Sequence, residues 1–399
     1  MAHVAAYITG HGFGHATRMA AILGALVGRV PGLRLSLIST APEWVFRLNL
    51  AAPFDFRSRA LDVGVIQEDA IRLNAQATLE AYTRVLETQA AVVEEEAALL
   101  RRSRVDLVVA DIPPAAFPVA RQAGVPGVGI SNFSWDWIYA AYVRDLPDRA
   151  PLLEAIRAAY AEADLFLRLP FHGPCDAFPV VRDIPMVARR ARCPRAEARR
   201  RLGLSEGRPT VLLSFGGFDT RGIDFERVEQ LDEYQFLTTQ APPRPVRNVR
   251  TVALDGLRYE DVVAQADAVI TKPGYGIVSD CLANHVPVLY TSRGEFPEYA
   301  CLSRGCSGSA SAVSSRTPTS SRATGVARST ACWGSRGPGG ICPPTALTSP
   351  PRSSHPCCPQ THGATPSRAA HDGPGISDRS VKEATPWLLR QTPVRQRCL

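Results

Sequence analysis

From residue 1 to about residue 300, short β-branched runs alternate with helix-forming stretches. That alternation restricts the chain to helices layered on mostly parallel sheets. Strand candidates in the first half fall at 3–8, 33–38, 105–110, 126–130 and 164–168. Between them lie an amphipathic stretch over 17–29, a long Ala-, Leu- and Glu-rich helix over about 68–102, and a shorter helix over 150–162. A basic, helical connector runs from about 189 to 201. A second set of strands follows at 209–214, 235–240, 249–254, 268–271 and 287–291, with helices at 259–267 and 276–285. The expectation is an α/β protein of two Rossmann-like domains, 1–185 and 186–300, facing a cleft. Ligands in such sheets bind beyond the carboxyl ends of the strands.

The rhythm stops near Cys301. Residues 301–399 hold 12 of the 33 prolines, seven of the ten cysteines and neither Phe nor Tyr. A segment so poor in large apolar side chains cannot offset its ordering entropy by burial. The second domain is therefore expected to be incomplete at residue 300, where closing helices would follow. The tail is expected to be disordered, to contribute no site residue, and to be translated out of frame or otherwise foreign to the fold.

Charge divides at the same place. The net charge is +7, but the tail holds 12 of the 45 basic and 3 of the 38 acidic groups, so residues 1–300 are close to neutral. The positive charge thus gives no reason to expect a nucleic-acid partner for the folded part. Cys175, Cys193 and Cys281 are scattered and carry neither zinc-site nor disulfide spacing. No apolar run reaches the ~18–20 residues of a membrane span. The N-terminus runs straight into a strand without a signal-like pattern, which makes the cytoplasm the expected location.

Two strand-to-helix loops carry the chemistry. Gly10-His11-Gly12-Phe13-Gly14-His15 joins the first strand to the first helix. Its glycines, Gly12 and Gly14 among them, allow a tight turn and close approach of a ligand to the helix N-terminus. A histidine there suits a general base toward a hydroxyl, His15 ahead of His11. The plainer alternative is a histidine that only bonds a nearby backbone carbonyl. Thr271-Lys272-Pro273-Gly274-Tyr275-Gly276 lies between a strand and a helix of the second half. Gly274 and Gly276 free the backbone to cradle phosphate oxygens, and Asp280, one turn into the helix, is placed to accept bonds from ribose hydroxyls. Lys272 is the sole lysine of residues 1–300 in an arginine-rich chain, which points to a need for a compact ammonium.

Other strand ends supply further candidates. Gly216 and Gly217 follow the strand at 209–214 and would close on the same diphosphate. Asn132, Trp135 and Asp136, in the block 131–137, suit a polar-faced acceptor, although packing explains the tryptophans equally well. Asp111, directly after the strand at 105–110, is a further candidate catalytic group.

Taken together, residues 8–18, the block 132–136, Arg168-Leu169-Pro170, the block 272–280 and Arg293-Gly294-Glu295-Phe296-Pro297-Glu298 resemble the glycosyltransferase-like domain of L-arabinokinase and its stand-alone bacterial relatives. More distantly the chain is similar to the peptidoglycan N-acetylglucosaminyltransferase and other GT-B enzymes. The resemblance covers about residues 3–300. It implies the GT-B fold, with His15 acting on the acceptor and the second domain holding a nucleotide sugar. Asp280 then stands at the helix position of the ribose acid, where glutamate is usual, and Glu298 belongs to the donor side.

The leading expectation is sugar transfer from a nucleoside-diphosphate sugar, UDP-type, to a hydroxyl acceptor, with no metal and no cofactor. A sugar-nucleotide epimerase on the same architecture and a non-catalytic sugar-nucleotide-binding protein are the alternatives. A kinase is disfavoured, because no kinase phosphate loop is present in the sequence. Fold resemblance alone fixes neither the sugar nor the acceptor.

Overall fold

The computed structural model describes residues 1–68, 73–215, 223–291, 296–308 and 312–314. The first domain holds strands β1 (His3–Ile8), β2 (Arg34–Ser39), β3 (Asp55–Arg57), β4 (Leu107–Asp111), β5 (Gly127–Ser131), β6 (Leu165–Arg168) and β7 (Val181–Asp183). They form one sheet in the order β3-β2-β1-β4-β5-β6-β7, every pair parallel. The second domain holds β8 (Thr210–Ser214), β9 (Gln235–Thr238), β10 (Val249–Thr251), β11 (Ala268–Thr271), β12 (Val288–Tyr290) and β13 (Ala312–Ser314). Their order, β10-β9-β8-β11-β12-β13, repeats that of the first six strands, again all parallel. In each sheet the strand order reverses beside the starting strand, between β1 and β4 and between β8 and β11. The carboxyl ends at that reversal are where such sheets bind ligands, and both chemistry-bearing loops lie there.

Parallel strands covered on both faces read as continuous apolar runs. The run His3-Val4-Ala5-Ala6-Tyr7-Ile8 is buried throughout. One face of the first sheet is covered by α1 (Phe13–Arg29) and α2 (Glu43–Asn49), through Met19, Leu23, Val45 and Phe46. The other face is covered by α3 (Ala75–Ser103), α4 (Ala116–Ala123), α5 (Trp135–Val143) and α6 (Ala150–Tyr160), through Leu79, Tyr82, Phe117, Ile138 and Tyr160. The linker carries α7 (Arg195–Arg201), and the second domain adds α8 (Phe225–Gln230), α9 (Tyr259–Val263), α10 (Tyr275–Ala283) and α11 (Glu298–Gly308). The cluster beneath α1 continues without a break into Leu212, Leu237, Val262 and Val278, so the two domains share one apolar core along their junction.

Three differences from the sequence reading have physical causes. The long helix begins at Ala75 rather than near 68, because the Asn74 side chain accepts a hydrogen bond from the Ala77 N–H at 2.9 Å and caps it there. The block 131–137, read as a strand end, turns into α5 at Trp135, with Ser134 in an extended conformation before it. The boundary drawn at 300 falls inside α11. Cys301 and Leu302 are buried, Leu302 completely, and β13 then pairs with β12. A compositional average over the tail hid these first apolar residues. The rest of the tail lies outside the described residues.

Candidate active site

A cavity of about 510 Å³ lies between the domains. It is bordered by the start of α1, by α2, by the loop from β11 into α10, and by the start of α11. Helices α1 and α10 begin at Gly12 and Gly274 with no side-chain cap and no acidic residue in their first turns. Their N–H groups and partial positive charge therefore remain available to a ligand. Gly12 has φ 78°, a left-handed backbone that favours glycine. The two helix starts come close: a Cβ on Gly276 would lie 3.3 Å from the Gly14 Cα, a tight contact that favours glycine at 276.

His15 and His11 both border the cavity and are held differently. His15 Nδ1 lies 2.8 Å from Asp111 Oδ1, an arrangement in which Nδ1–H donates to the carboxylate and the lone pair is left on Nε2. His11 Nδ1 accepts from the Val65 N–H at 3.2 Å, and its ring packs against Trp135 and Phe296. His11 thus spends one ring nitrogen on the backbone and serves as a wall.

Asp111 was expected among the groups that touch substrate. It is instead fully buried behind His15 and does not border the cavity. Burial alone would raise its pKa, but the Arg18 and His15 charges overrule that and hold it below the usual carboxylate range. Arg18 Nε and Nη2 engage both of its oxygens, at 2.9 and 2.7 Å. A second buried carboxyl, Asp62, accepts from Thr9 Oγ1 at 3.0 Å and from the Trp135 indole N–H at 2.8 Å. Burial outweighs those bonds and pushes its pKa up to about 6.

The acceptor-side reading needs correcting at two positions. Trp135 is fully buried, bonded to Asp62 and stacked on Tyr139, so it is a core residue. Asp136 also lies away from the cavity, 3.4 Å from Arg157. Placing Trp135 at the start of α5 turns both side chains into the domain. Asn132 does border the cavity, accepting from Arg18 Nη1 at 3.0 Å and donating to Glu298 Oε1 at 2.8 Å. Gly12 and Gly14 border it too.

On the donor side, Lys272, Gly274, Gly276 and Glu298 all border the cavity. Lys272 is nine-tenths buried and its Nζ donates to Gln67 Oε1 of the first domain at 3.2 Å. Asp280 reaches the cavity wall but is already engaged. Its Oδ1 accepts from the Arg189 N–H at 2.9 Å, and its Oδ2 pairs with Arg189 Nη2. Arg189 Nη1 also reaches Glu260 at 3.2 Å and Asn49 at 3.1 Å. Burial raises the Asp280 pKa, and Arg189 offsets this only in part. Asp280, read as the ribose acid, thus holds the linker arginine at the cavity wall. Gly216 and Gly217 lie outside the described residues.

Sequence reasoning missed Arg18, Arg189, Gln67 and the paired rings of Phe13 and Trp44, 5.6 Å apart on the cavity wall. Arg18 had a legible signal, because it stands three residues after His15 on the same face of one helix. Phe13 stands inside the Gly10–His15 loop itself, whereas Arg189, Gln67 and Trp44 come from segments that only the fold brings near. Among the described residues, no group of three or more His, Cys, Asp or Glu is arranged to hold a metal, and no helix is long and apolar enough to cross a membrane.

No protein-family model matches the chain. In sequence it is similar to L-arabinokinase of Arabidopsis thaliana, 33% identical over 301 residues. That match takes in 73% of this chain but only 28% of the relative, so the chain spans little more than a quarter of it. In structure it is similar to the glycotransferase of kitacinnamycin, with a TM-score of 0.53 at 17% identity over 79% of this chain and 86% of that one. Phytolacca americana UGT2, solved with UDP-2-fluoro-glucose and pterostilbene, gives a TM-score of 0.53 at 12% identity over 80% and 86%. The glycosyltransferase VinC, solved with dTDP, gives 0.50 at 16% identity over 79% and 86%. The chain has the GT-B fold of these solved glycosyltransferases, and in sequence it is similar to part of L-arabinokinase.

Proposed function

We propose that this protein transfers a sugar from a nucleoside-diphosphate sugar, UDP-type, to a hydroxyl acceptor. One observation carries the reading. His15, held from behind by Asp111, and the uncapped, lysine-flanked start of α10 face a single cavity from opposite domains. A base and an anion cradle on either side of one space are what this transfer needs. His15 Nε2 takes the acceptor proton while the acceptor oxygen bonds to the anomeric carbon. The bond from that carbon to the diphosphate breaks, and its electron pair leaves with the phosphate oxygen. Lys272 and the N–H groups at the start of α10 stabilise the departing charge, so the step needs neither metal nor cofactor. The nucleotide ligands of the two solved relatives above, UDP-2-fluoro-glucose and dTDP, are consistent with the donor class.

The experiment has two stages on the full chain. Thermal melting with UDP, dTDP, GDP and ADP comes first, and one or more should raise the melting temperature by ligand linkage. Mass spectrometry of the matching nucleotide sugar with a panel of hydroxyl compounds follows, and a glycosylated product is expected. A donor interconverted without any acceptor would make the protein an epimerase. Nucleotide binding with neither transfer nor interconversion would leave a binding protein.

A further inference from the structure

Arg18 links the His15–Asp111 pair to the second domain. It is almost completely buried, and each of its three guanidinium nitrogens donates a hydrogen bond. Nε and Nη2 hold both Asp111 oxygens, Nη2 also donates to Ser131 Oγ at 3.1 Å, and Nη1 donates to Asn132 Oδ1 at 3.0 Å. Two of its neighbours belong to the second domain. The guanidinium carbon stacks 4.9 Å from the centre of the Tyr275 ring, and Tyr275 is the first residue of α10, between Gly274 and Gly276. Asn132 in turn donates to Glu298 at the start of α11. A continuous path thus runs from His15 through Asp111 and Arg18 to both helix starts of the second domain.

We propose that Arg18 is a positioning residue through which the second domain sets the charge and orientation of the His15–Asp111 pair. Asp111 is shared between an arginine and a histidine. As long as the guanidinium occupies both oxygens, the carboxylate has less attraction left for a proton on His15. Contacts to Tyr275 and Asn132 hold Arg18 in that seat, so loosening them returns part of that attraction to the proton on His15. The base then responds to the seating of α10, the helix read here as the donor cradle. The groups around His15 are Asp111 from β4, Arg18 from α1 and Asp62 from the loop after β3, with Tyr275 and Glu298 acting through Arg18.

This inference concerns the same site as the proposed function, but its test needs neither donor nor activity. The full chain is labelled with ¹⁵N-histidine, the His15 ring signals are assigned with His15→Gln, and they are followed against pH. In Arg18→Met the ring should stay doubly protonated to higher pH than in the parent, by a tenfold or greater change in proton concentration. Tyr275→Leu should move it the same way by less. The double variant should behave like Arg18→Met alone, because Tyr275 acts only through the arginine. Asp62 is present in all of these proteins, so its titration cancels in the comparison. If Arg18→Met does not fold, Arg18→Lys replaces it; lysine keeps the charge but cannot engage both oxygens, and a partial change is expected. His15 signals that ignore Tyr275→Leu, or effects of the two substitutions that simply add, overturn the proposal. Failure of any nucleotide to bind bears on the proposed function alone.

Discussion

Helices α1 and α10 start alike and are surrounded by unlike chemistry. Each begins at a glycine without a side-chain cap, and the two starts meet where Gly14 faces Gly276. Behind α1 the first domain bonds the buried Asp111 to His15 and places a second buried carboxyl, Asp62, where it feels the histidine's charge, so its apparatus suits moving a proton. At α10 the second domain places a lysine and uncapped backbone amides, with the carboxylate of Asp280, on the same helix, occupied by Arg189. That end suits holding an anion. One helix geometry thus serves two purposes, and what distinguishes them is the side chains supplied from neighbouring strands.

The largest effect should fall on the α1 side. His15→Ala should lower transfer by roughly 10²–10⁴-fold and leave nucleotide-induced thermal stabilisation intact. An unchanged rate would mean that the two ends do not divide base and cradle as described. His11→Ala should reduce transfer far less, because its ring nitrogen is tied to the Val65 N–H.

Asp62 sharpens the same side through pH. Its folded pKa, about 6, lies above the ordinary carboxylate value near 4. The proton it binds in the folded state therefore favours folding fully below about pH 4, and that advantage is lost as pH rises through about 6. The swing corresponds to about 3 kcal/mol. Asp62→Asn removes the titration, so its urea midpoint relative to the parent should be higher at pH 7 than at pH 4.5. A pH-independent difference would show that Thr9 and Trp135 keep this carboxyl in its ordinary range.

On the α10 side, Lys272→Ala should weaken UDP binding by roughly 10–100-fold, read as a smaller UDP-induced rise in melting temperature. The His15 ring signals of the unliganded protein should stay nearly as in the parent. Movement of both readouts together would blur the division between the two ends.

The smallest effect tests the meeting point itself. Gly276→Ala puts a methyl 3.3 Å from the Gly14 Cα and should cost about 1–3 kcal/mol in denaturant unfolding. Gly274→Ala meets nothing within 4 Å and has an extended backbone, so it should be near neutral, within about 0.5 kcal/mol. Equal costs at both positions would mean that the helix starts are not in contact in solution.

Much of this architecture was legible in the sequence, and for a local reason. The strands and the larger helices follow from apolar runs and their flanking glycines, which neighbouring residues alone can specify. Both glycine-rich loops could be placed as well, because a strand-to-helix junction and a rare residue, Lys272, are visible without coordinates. Short elements such as α2 and β7 were not legible, because a few residues carry little periodicity. Trp135 misled, since an indole beside Asn132 and Asp136 reads equally as a sugar platform or as core. Its full burial and its hydrogen bond to Asp62, 73 residues away, decide for the core.

The sequence by itself determined the two α/β layers, the glycines at both helix starts and the pairing of a histidine loop with a lysine loop. These depend on backbone periodicity and local conformational freedom. Tertiary structure alone decided which acid serves which partner. Asp111 reaches His15 across 96 residues, Arg189 takes Asp280 across 91, and Asn132 joins Glu298 across 166. A buried carboxylate is held by whichever cation the fold delivers to it, because the cost of burying an unpaired charge exceeds any local preference.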